Sequence, residues 1–496
     1  MIRNILYLLN KLTHAMKKNL LISLLFFTFT CSAQLIVKDS VILHLNNAQV
    51  IDYYNSNGIP PFLFPPKWEV DVHRVIYHTP DPHGVQTIAS GLVIIPTNDT
   101  CPAPMMTYLH GTQMNKHDVF SNLNGEWFIG VVAATTGYAA AFPDYLGLGV
   151  SPGLHPYQHA ASEASCAIDL LRALRQICDS NDVDLNGQLF VMGYSQGGHA
   201  AMATHREIQQ HLSGEFTVTA SAPMSGPYDL SGVQFEMVAS FDPYSQPGYL
   251  PYLVMSFQSV YGNLYSNYSE IFKHPYDSII PPLILSGTHW MGDVNNVMPS
   301  VPRLIIDSTY AAAFFSDTLH PAMLALKDND VYDWLPQAPM RMGYCTSDQE
   351  VTYRNAIVAL NRMHQLGANN VNAVCQDTTL SHFDCARPSI LFTKFWFDSM
   401  AQFCQQPPNS ILSPEFVNTQ ISFRPNPCMD ELNISFSNSG KEEYTVYIVD
   451  MGGRIIRMFP GVMADHFTCN VSGLNKGSYI VMADGKKPYW GKLVKQ

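Results

Sequence analysis

Charge is scarce in this sequence. Asp, Glu, Lys and Arg make up 14% of its 496 residues, against roughly a quarter in an ordinary soluble chain, so long solvated tails are excluded and most of the chain must pack. Positive charge is scarcer still: 28 Lys and Arg face 40 Asp and Glu, a net charge of −12, and no basic run occurs. No electrostatic grip on a phosphate backbone exists, so nucleic acid is not expected as a partner. Long apolar runs are missing too. Leu20 to Thr30 is the one membrane candidate and is too short to span, so no transmembrane helix is expected in the mature chain. No cysteine pair has zinc-ligand spacing with a second pair to match, and no metal is expected. Apolar residues are plentiful. They make up 47% of the chain and include 25 Tyr and 26 Phe, which suits a sizeable core and a greasy pocket. The length leaves room for two or three domains.

The amino terminus carries the order of a secretory signal peptide: Lys17-Lys18, a brief apolar stretch, then small residues Cys31-Ser32-Ala33. Cleavage is expected after Ala33, giving a signal at 1–33 with Met16 as the true start. A lipoprotein signal ending at Cys31 is the rival, against which Thr28-Phe29-Thr30 are bulky. Removal of Cys31 leaves nine of the ten cysteines, an odd number, so at least one thiol stays free. An oxidising exterior would permit Cys375 with Cys385, and Cys428 with Cys469; spacing does not fix connectivity.

From Trp68 onward short apolar runs alternate with helical periodicity, which predicts helices on both faces of a mostly parallel sheet. The start is antiparallel: Val70 to His78 and Thr87 to Ile95 flank a turn-rich joint at 80–84. Further strands are expected at Met105 to Leu109, Tyr138 to Phe142, Leu189 to Met192, Phe216 to Ala222, Met340 to Tyr344 and Val371 to Val374. Helices are expected at Ala160 to Cys178 and Tyr353 to Leu366, the second closed by Gly367. The stretch at about 225–339 is too long for a connection and reads as a helical cap crowded with aromatics, most of them forming the cap's own core. A polar, proline-rich joint at 405–419 reads as a linker. Beyond it, 420–496 shows short alternating runs typical of a small all-β sandwich.

Two segments match G-x-S-x-G. Such an elbow needs a strand before it, a helix after it, and a backbone N–H on the residue following the serine. Gly149-Val150-Ser151-Pro152-Gly153 fails, because Pro152 has no N–H and no apolar run precedes the serine. Gly193-Tyr194-Ser195-Gln196-Gly197 succeeds: Leu189 to Met192 is the strand, the glycines allow the turn, and Gly198 onward starts a helix. Gln196 N–H would be one oxyanion donor. The second is expected from the loop after an earlier strand, His110-Gly111-Thr112, with the N–H of Thr112 aimed at the oxyanion and His110 fixing the loop. Asp144-Tyr145 and His155-Pro156-Tyr157 flank a glycine-rich loop, where they either line a pocket mouth or tie the loop down.

Gly193 to Gly197, His110-Gly111-Thr112 and Phe142 to Gly149 together resemble the α/β-hydrolase superfamily over roughly 70–400, and within it the secreted lipase and esterase branch. The resemblance implies that 34–404 is an α/β-hydrolase domain. Its triad order of Ser, then acid, then His places the acid at Asp348, after the strand Met340 to Tyr344, with Glu350 the runner-up. His382, after the last strand, becomes the base, although its neighbours Ser381 and Phe383 replace the glycine relatives often carry there. Acyl transfer through Ser195, His382 and Asp348 follows, with Gln196 and Thr112 as oxyanion donors, with Tyr194, His110, Gly111 and Tyr145 lining the substrate site, and with no metal or organic cofactor.

Pro425-Asn426-Pro427, Val446 to Gly453, Val471 to Tyr479 and Gly491 to Lys495 resemble the type A sorting domain of the type IX secretion system. That implies a secreted or surface protein that engages the type IX machinery; a sandwich binding carbohydrate is the plainer alternative. Three readings compete: a carboxylic-ester hydrolase on small-molecule or lipid esters, a serine peptidase on the same fold, and a non-catalytic surface protein on a hydrolase scaffold.

Overall fold

A computed structural model describes residues 35–403, except 58, 60, 62, 63 and 98–100, and residues 421–496, except 436–442, 451–454, 464 and 485–488. The expected signal peptide at 1–33 and linker at 405–419 lie outside the described residues.

The apolar runs assemble, among the described residues, into a nine-stranded sheet of order β1-β2-β3-β5-β4-β6-β7-β8-β9. Its strands are β1 (Ile36–Leu45), β2 (Glu69–Pro80), β3 (Gln86–Thr97), β4 (Ala103–Leu109), β5 (Ala139–Pro143), β6 (Leu185–Tyr194), β7 (Val218–Met224), β8 (Met340–Cys345) and β9 (Val371–Asp377). Pairing is antiparallel from β1 through β3 to β5 and parallel from β5 onward. The continuous apolar strands are the parallel, central ones: every residue of β4 and β5 is buried, because helices cover both faces. Alternation along β3 shows this directly. Ile94 meets α2 (Phe128–Thr135) at Gly130, while Gly91, one face over, lies against Leu170 of α3 (Ala160–Ser180). The helix α4 (Gln196–His211) packs with α3, and α13 (His382–Asp398) packs on β8, β6 and β7. The preceding helix α1 (Asn47–Ser56) and the strand β1 escape the sequence reading. β1 is an edge strand that leaves Lys38 and Asp39 to solvent, so its pattern lacks the clean period of a half-buried strand.

The chain between β7 and β8 is helical, as expected of 225–339. It carries α5 (Val233–Val238), α6 (Tyr249–Tyr261), α7 (Tyr268–Ile271), α8 (Tyr276–Leu285), α9 (Met291–Val297), α10 (Ser308–Ser316) and α11 (Pro321–Asp328). Its aromatics do build its own core, where Tyr252 and Phe272 pack with Ile280, Ile284 and Val294, although Phe241 and Trp290 stay exposed. After β8 the helix α12 (Arg354–Gln365) leads to β9, and Gly367 past its end has φ 102°. Residues 421–496 form a three-stranded sheet, β10 (Ser422–Arg424), β11 (Glu431–Ser435) and β14 (His466–Asn470), and a four-stranded one, β13 (Ile455–Val462), β12 (Tyr444–Asp450), β15 (Gly477–Asp484) and β16 (Tyr489–Lys495). Leu432, Ile434, Val446, Val481 and Leu493 share one core there. No helix among the described residues is long and apolar enough to cross a membrane.

Both disulfide pairings permitted by the sequence are corrected. Cys385 bonds Cys345, not Cys375, across a Cα–Cα distance of 6.1 Å. Cys345 ends β8 and is fully buried beneath α13, whereas Cys375 turns its thiol toward the Asp377 carbonyl. Cys428 and Cys469 are separate buried thiols: Cys469 sits opposite Leu432 on β14, while Cys428 bridges to Lys495 at the other sheet. Cys101 is disulfide-bonded, and Cys166 and Cys178 are free buried thiols, so the odd-thiol expectation stands.

Candidate active site

The loops that follow β4, β6, β8 and β9 all leave from the carboxyl ends of parallel strands, where an open α/β sheet presents its functional groups. Ser195 stands between β6 and α4 at φ 61°, ψ −123°. A non-glycine residue there stores on the order of 1–3 kcal/mol of strain, which persists only if the surroundings impose it. They do. Ser195 N–H donates to the Met224 carbonyl at 3.0 Å, and the turn is so tight that a Cβ on Gly197 would lie 1.8 Å from the Leu109 carbonyl oxygen. Only glycine fits.

The ring of His382 faces this serine. Ser195 Oγ lies 2.8 Å from His382 Nε2, and His382 Nδ1 lies 2.6 Å from Asp348 Oδ2. The second oxygen of Asp348 accepts the backbone N–H groups of Glu350 and Val351 at 3.0 and 2.8 Å, which fixes the carboxylate. His382 belongs to the first turn of α13 rather than to a loop. Ser381 caps that helix by accepting from Asp384 N–H, the Gln349 amide oxygen accepts His382 N–H at 3.1 Å, and Tyr194 donates its hydroxyl to the His382 carbonyl at 2.6 Å. Burial disfavours the imidazolium, but the hydrogen bond and charge of Asp348, with the charge of Glu350, outweigh it and raise the ring above its ordinary 6.5. Glu350 itself is not on the Nδ1 side; its Oε2 lies 4.0 Å from Nε2.

Gln196 occupies the first position of α4, so its N–H has no acceptor within the helix. The loop carrying Gly111 and Thr112 passes directly beside the serine, since a Cβ on Gly111 would sit 3.5 Å from Ser195 Cβ. Thr112 Oγ1 is 2.9 Å from the Tyr157 hydroxyl.

Ser195 opens into an apolar chamber lined by cap residues including Phe235, Leu253, Phe257 and Phe314, with Leu230 and Tyr157. Tyr194, His110, Gly111 and Tyr145, expected to line the substrate site, are not among the residues that line this chamber; they pack around the elbow. Tyr194 lies beneath His382 with ring centres 5.1 Å apart. His110 is buried, hydrogen-bonds the Gly111 and Asp144 carbonyls, and packs against Tyr145 at 4.4 Å. Asp144 ties its loop to Ser90 Oγ and Ser121 N–H; burial pushes its carboxyl up, against the pull of those bonds. Ser151 sits in the same loop, away from any strand-to-helix corner.

A buried polar network escaped sequence reasoning. Gln196 Nε2 donates to Glu163 Oε1 at 2.8 Å and to His155 Nε2 at 2.7 Å, while His199 donates to Glu163 Oε2 at 2.7 Å and to the Asn329 carbonyl at 2.8 Å. It joins the helix after Ser195 to α3 and to the end of the cap. In sequence, Glu163 reads only as an acid complementing the start of α3.

Strand order, strained serine corner and helical insertion define a protein of the α/β-hydrolase fold. Residues 422–496 match the family described as "Secretion system C-terminal sorting domain", so the chain is directed by the type IX system to the exterior or the cell surface. No curated protein matches the chain. Among solved structures, the rice cell wall degrading esterase LipA from Xanthomonas oryzae is similar at 29% identity and TM-score 0.63, over 73% of this chain and 95% of that one. A Legionella pneumophila protein described as a hydrolase is similar at 26% identity and TM-score 0.67, over 74% and 98%. Candida antarctica lipase A shares the fold at 14% identity and TM-score 0.56, over 74% and 83%. The chain is a secreted hydrolase with esterase- and lipase-like structural relatives.

Proposed function

We propose that this protein is a serine carboxylic-ester hydrolase that works through Ser195, His382 and Asp348 and an acyl-enzyme. The observation that carries the reading is the unbroken chain from Ser195 Oγ to His382 Nε2 at 2.8 Å and from Nδ1 to Asp348 at 2.6 Å, ending on a serine held at φ 61°. As Oγ attacks the ester carbonyl, Nε2 takes its proton, and Asp348 holds the ring and stabilises its cation. The N–H groups of Gln196 and Thr112 receive the negative charge that develops on the carbonyl oxygen. His382 then returns the proton to the departing alcohol, and water, deprotonated by the same ring, clears the acyl group. In this reading 1–33 is the export signal, 34–404 the catalytic domain with its cap at about 225–339, 405–419 the linker and 420–496 the sorting domain.

The chamber supports an apolar acyl group. Each buried methylene contributes about 0.8 kcal/mol, a factor of about four, so kcat/KM on p-nitrophenyl esters should rise by up to about 10³-fold from acetate to octanoate. It should fall to background, a loss on the order of 10⁶-fold in kcat, in Ser195→Ala. Hydrolysis surviving in that variant, or acetate proving the best substrate, would contradict the reading.

A further inference from the structure

Glu350 is a second carboxylate beside the same imidazole. Its side chain is buried, and its Oε2 stands 4.0 Å from His382 Nε2, on the side of the ring that faces Ser195 and opposite Asp348. The cap fixes it there. Tyr249, at the start of α6, donates its hydroxyl to Glu350 Oε2 at 3.0 Å, and Gln246 donates to Oε1 at 3.3 Å. The Glu350 carbonyl accepts from the Tyr244 hydroxyl at 2.7 Å and from Gln234 Nε2 at 3.0 Å. Four cap side chains therefore hold one residue whose charge bears on the base.

The distance is the informative quantity. At 4.0 Å the carboxylate is too far to accept Nε2–H, so it does not draw the ring away from Ser195 Oγ at 2.8 Å. A unit charge at that range still favours the cation strongly where water is excluded. We propose that Glu350 is a positioning residue which stabilises the His382 imidazolium from the nucleophile side, and that Tyr249 restrains it from capturing Nε2–H, so that the seating of the cap sets the strength of the base. The proposal rests on the reading of Ser195 and His382 as nucleophile and base.

The other groups around the pair do not substitute for it. Asp348 occupies Nδ1, and Tyr194 from β6 bonds the His382 carbonyl rather than the ring. Asp384, in the first turn of α13, is engaged with Ser381 Oγ. Tyr244, Tyr249 and Tyr157 surround Glu350, and burial together with its negative charge, among others, holds all three phenols up and un-ionised. The raised proton affinity of His382, to which Asp348 and Glu350 both contribute, agrees with this arrangement.

The test is the pH dependence of the rate at which a fluorophosphonate probe labels Ser195 in the full chain, a readout that needs no knowledge of the substrate. Glu350→Gln keeps the shape and loses the charge, so the inflection at which labelling switches on should move to lower pH by about one unit. Tyr249→Phe frees the carboxylate to bond Nε2–H, so the inflection should move to higher pH while the plateau rate falls several-fold. The double variant should behave like Glu350→Gln, because Tyr249 acts only through that carboxylate. Rates that fall in all variants at an unmoved inflection would mean that Glu350 merely packs the cap, and the proposal would be wrong. A wild-type chain that carries no label on Ser195 would instead overturn the nucleophile assignment itself.

Discussion

His382 is buried between opposing demands: loss of water disfavours its cation, while the carboxylates at 2.6 and 4.0 Å favour it. The carboxylates prevail and the ring sits above 6.5. On the proposed mechanism His382 must be neutral to act as base, so kcat/KM should climb as pH rises through an inflection above 6.5, and Asp348→Asn should lower kcat by roughly 10⁴-fold. A pH-rate profile flat from 5 to 8 would contradict this. The same shift stabilises the fold below the ordinary 6.5, and that contribution is lost as pH rises through the folded value. Two other buried imidazoles act with opposite sign. Burial lowers His155 to about 4 and His205 to about 3, so below 6.5 the unfolded chain takes up protons that the folded rings refuse. Each ring should cost about 1.4 kcal/mol of stability per pH unit until its folded value is reached. Urea unfolding at pH 7 and pH 5 measures the loss, and replacing His205 with Gln should reduce it. At this scale the sequence was informative where spacing encodes chemistry. Ser195 was legible because an elbow needs glycines at fixed positions, and Pro152 disqualified Ser151. Glu163 and Asn329 carry no local signal and His155 was legible only as a residue flanking the glycine-rich loop, since their partnership exists only once α3, α4 and the cap meet.

Among the elements, the corner between β6 and α4 and the pair β8 with α13 matter most. An alanine at Gly197 would drive its Cβ into the Leu109 carbonyl, and because both sides are backbone the turn must open. A loss of about 3 kcal/mol in stability is expected, together with loss of catalysis, measured by denaturant midpoint and ester turnover. The Cys345–Cys385 bond ties the strand before Asp348 to the helix that begins at His382 and closes a loop with sequence separation 40. A chain-entropy treatment puts its contribution at about 4 kcal/mol. Cys385→Ser should lower the melting temperature and, on the proposed mechanism, lower kcat more than it raises KM, because it loosens Asp348 and His382 together. Unchanged kcat would argue that α13 is held in place without the bond. The sequence marked the central strands within a few residues, since β4 and β5 are apolar but for Thr107. It missed β1, whose exposed polar residues hide a strand, and it did not mark the helix that starts at His382, because Ser381 as a helix cap is visible only beside Asp384 N–H.

Across the whole molecule, the hydrolase sheet and the C-terminal sandwich have separate apolar cores, the latter built from Leu432, Val446, Val481 and their neighbours. A chain ending before residue 405 should therefore keep ester hydrolysis within a few-fold of the full chain but remain inside the cell that makes it; comparing activity in medium and in lysate tests both halves of that statement. The sandwich was legible from its motifs. The cap's composition announced a helical insertion, but not that its tyrosines would reach the loop carrying Asp348 and Glu350, because that approach depends on how an insertion folds back over the sheet. The most direct measurement is mass spectrometry of the intact enzyme after reaction with a fluorophosphonate, followed by peptide mapping of the adduct. One adduct on Ser195, lost in Ser195→Ala and formed at least 10³-fold more slowly in His382→Ala, is the predicted result. An adduct on another residue, or none under conditions where the protein hydrolyses esters, would contradict the account.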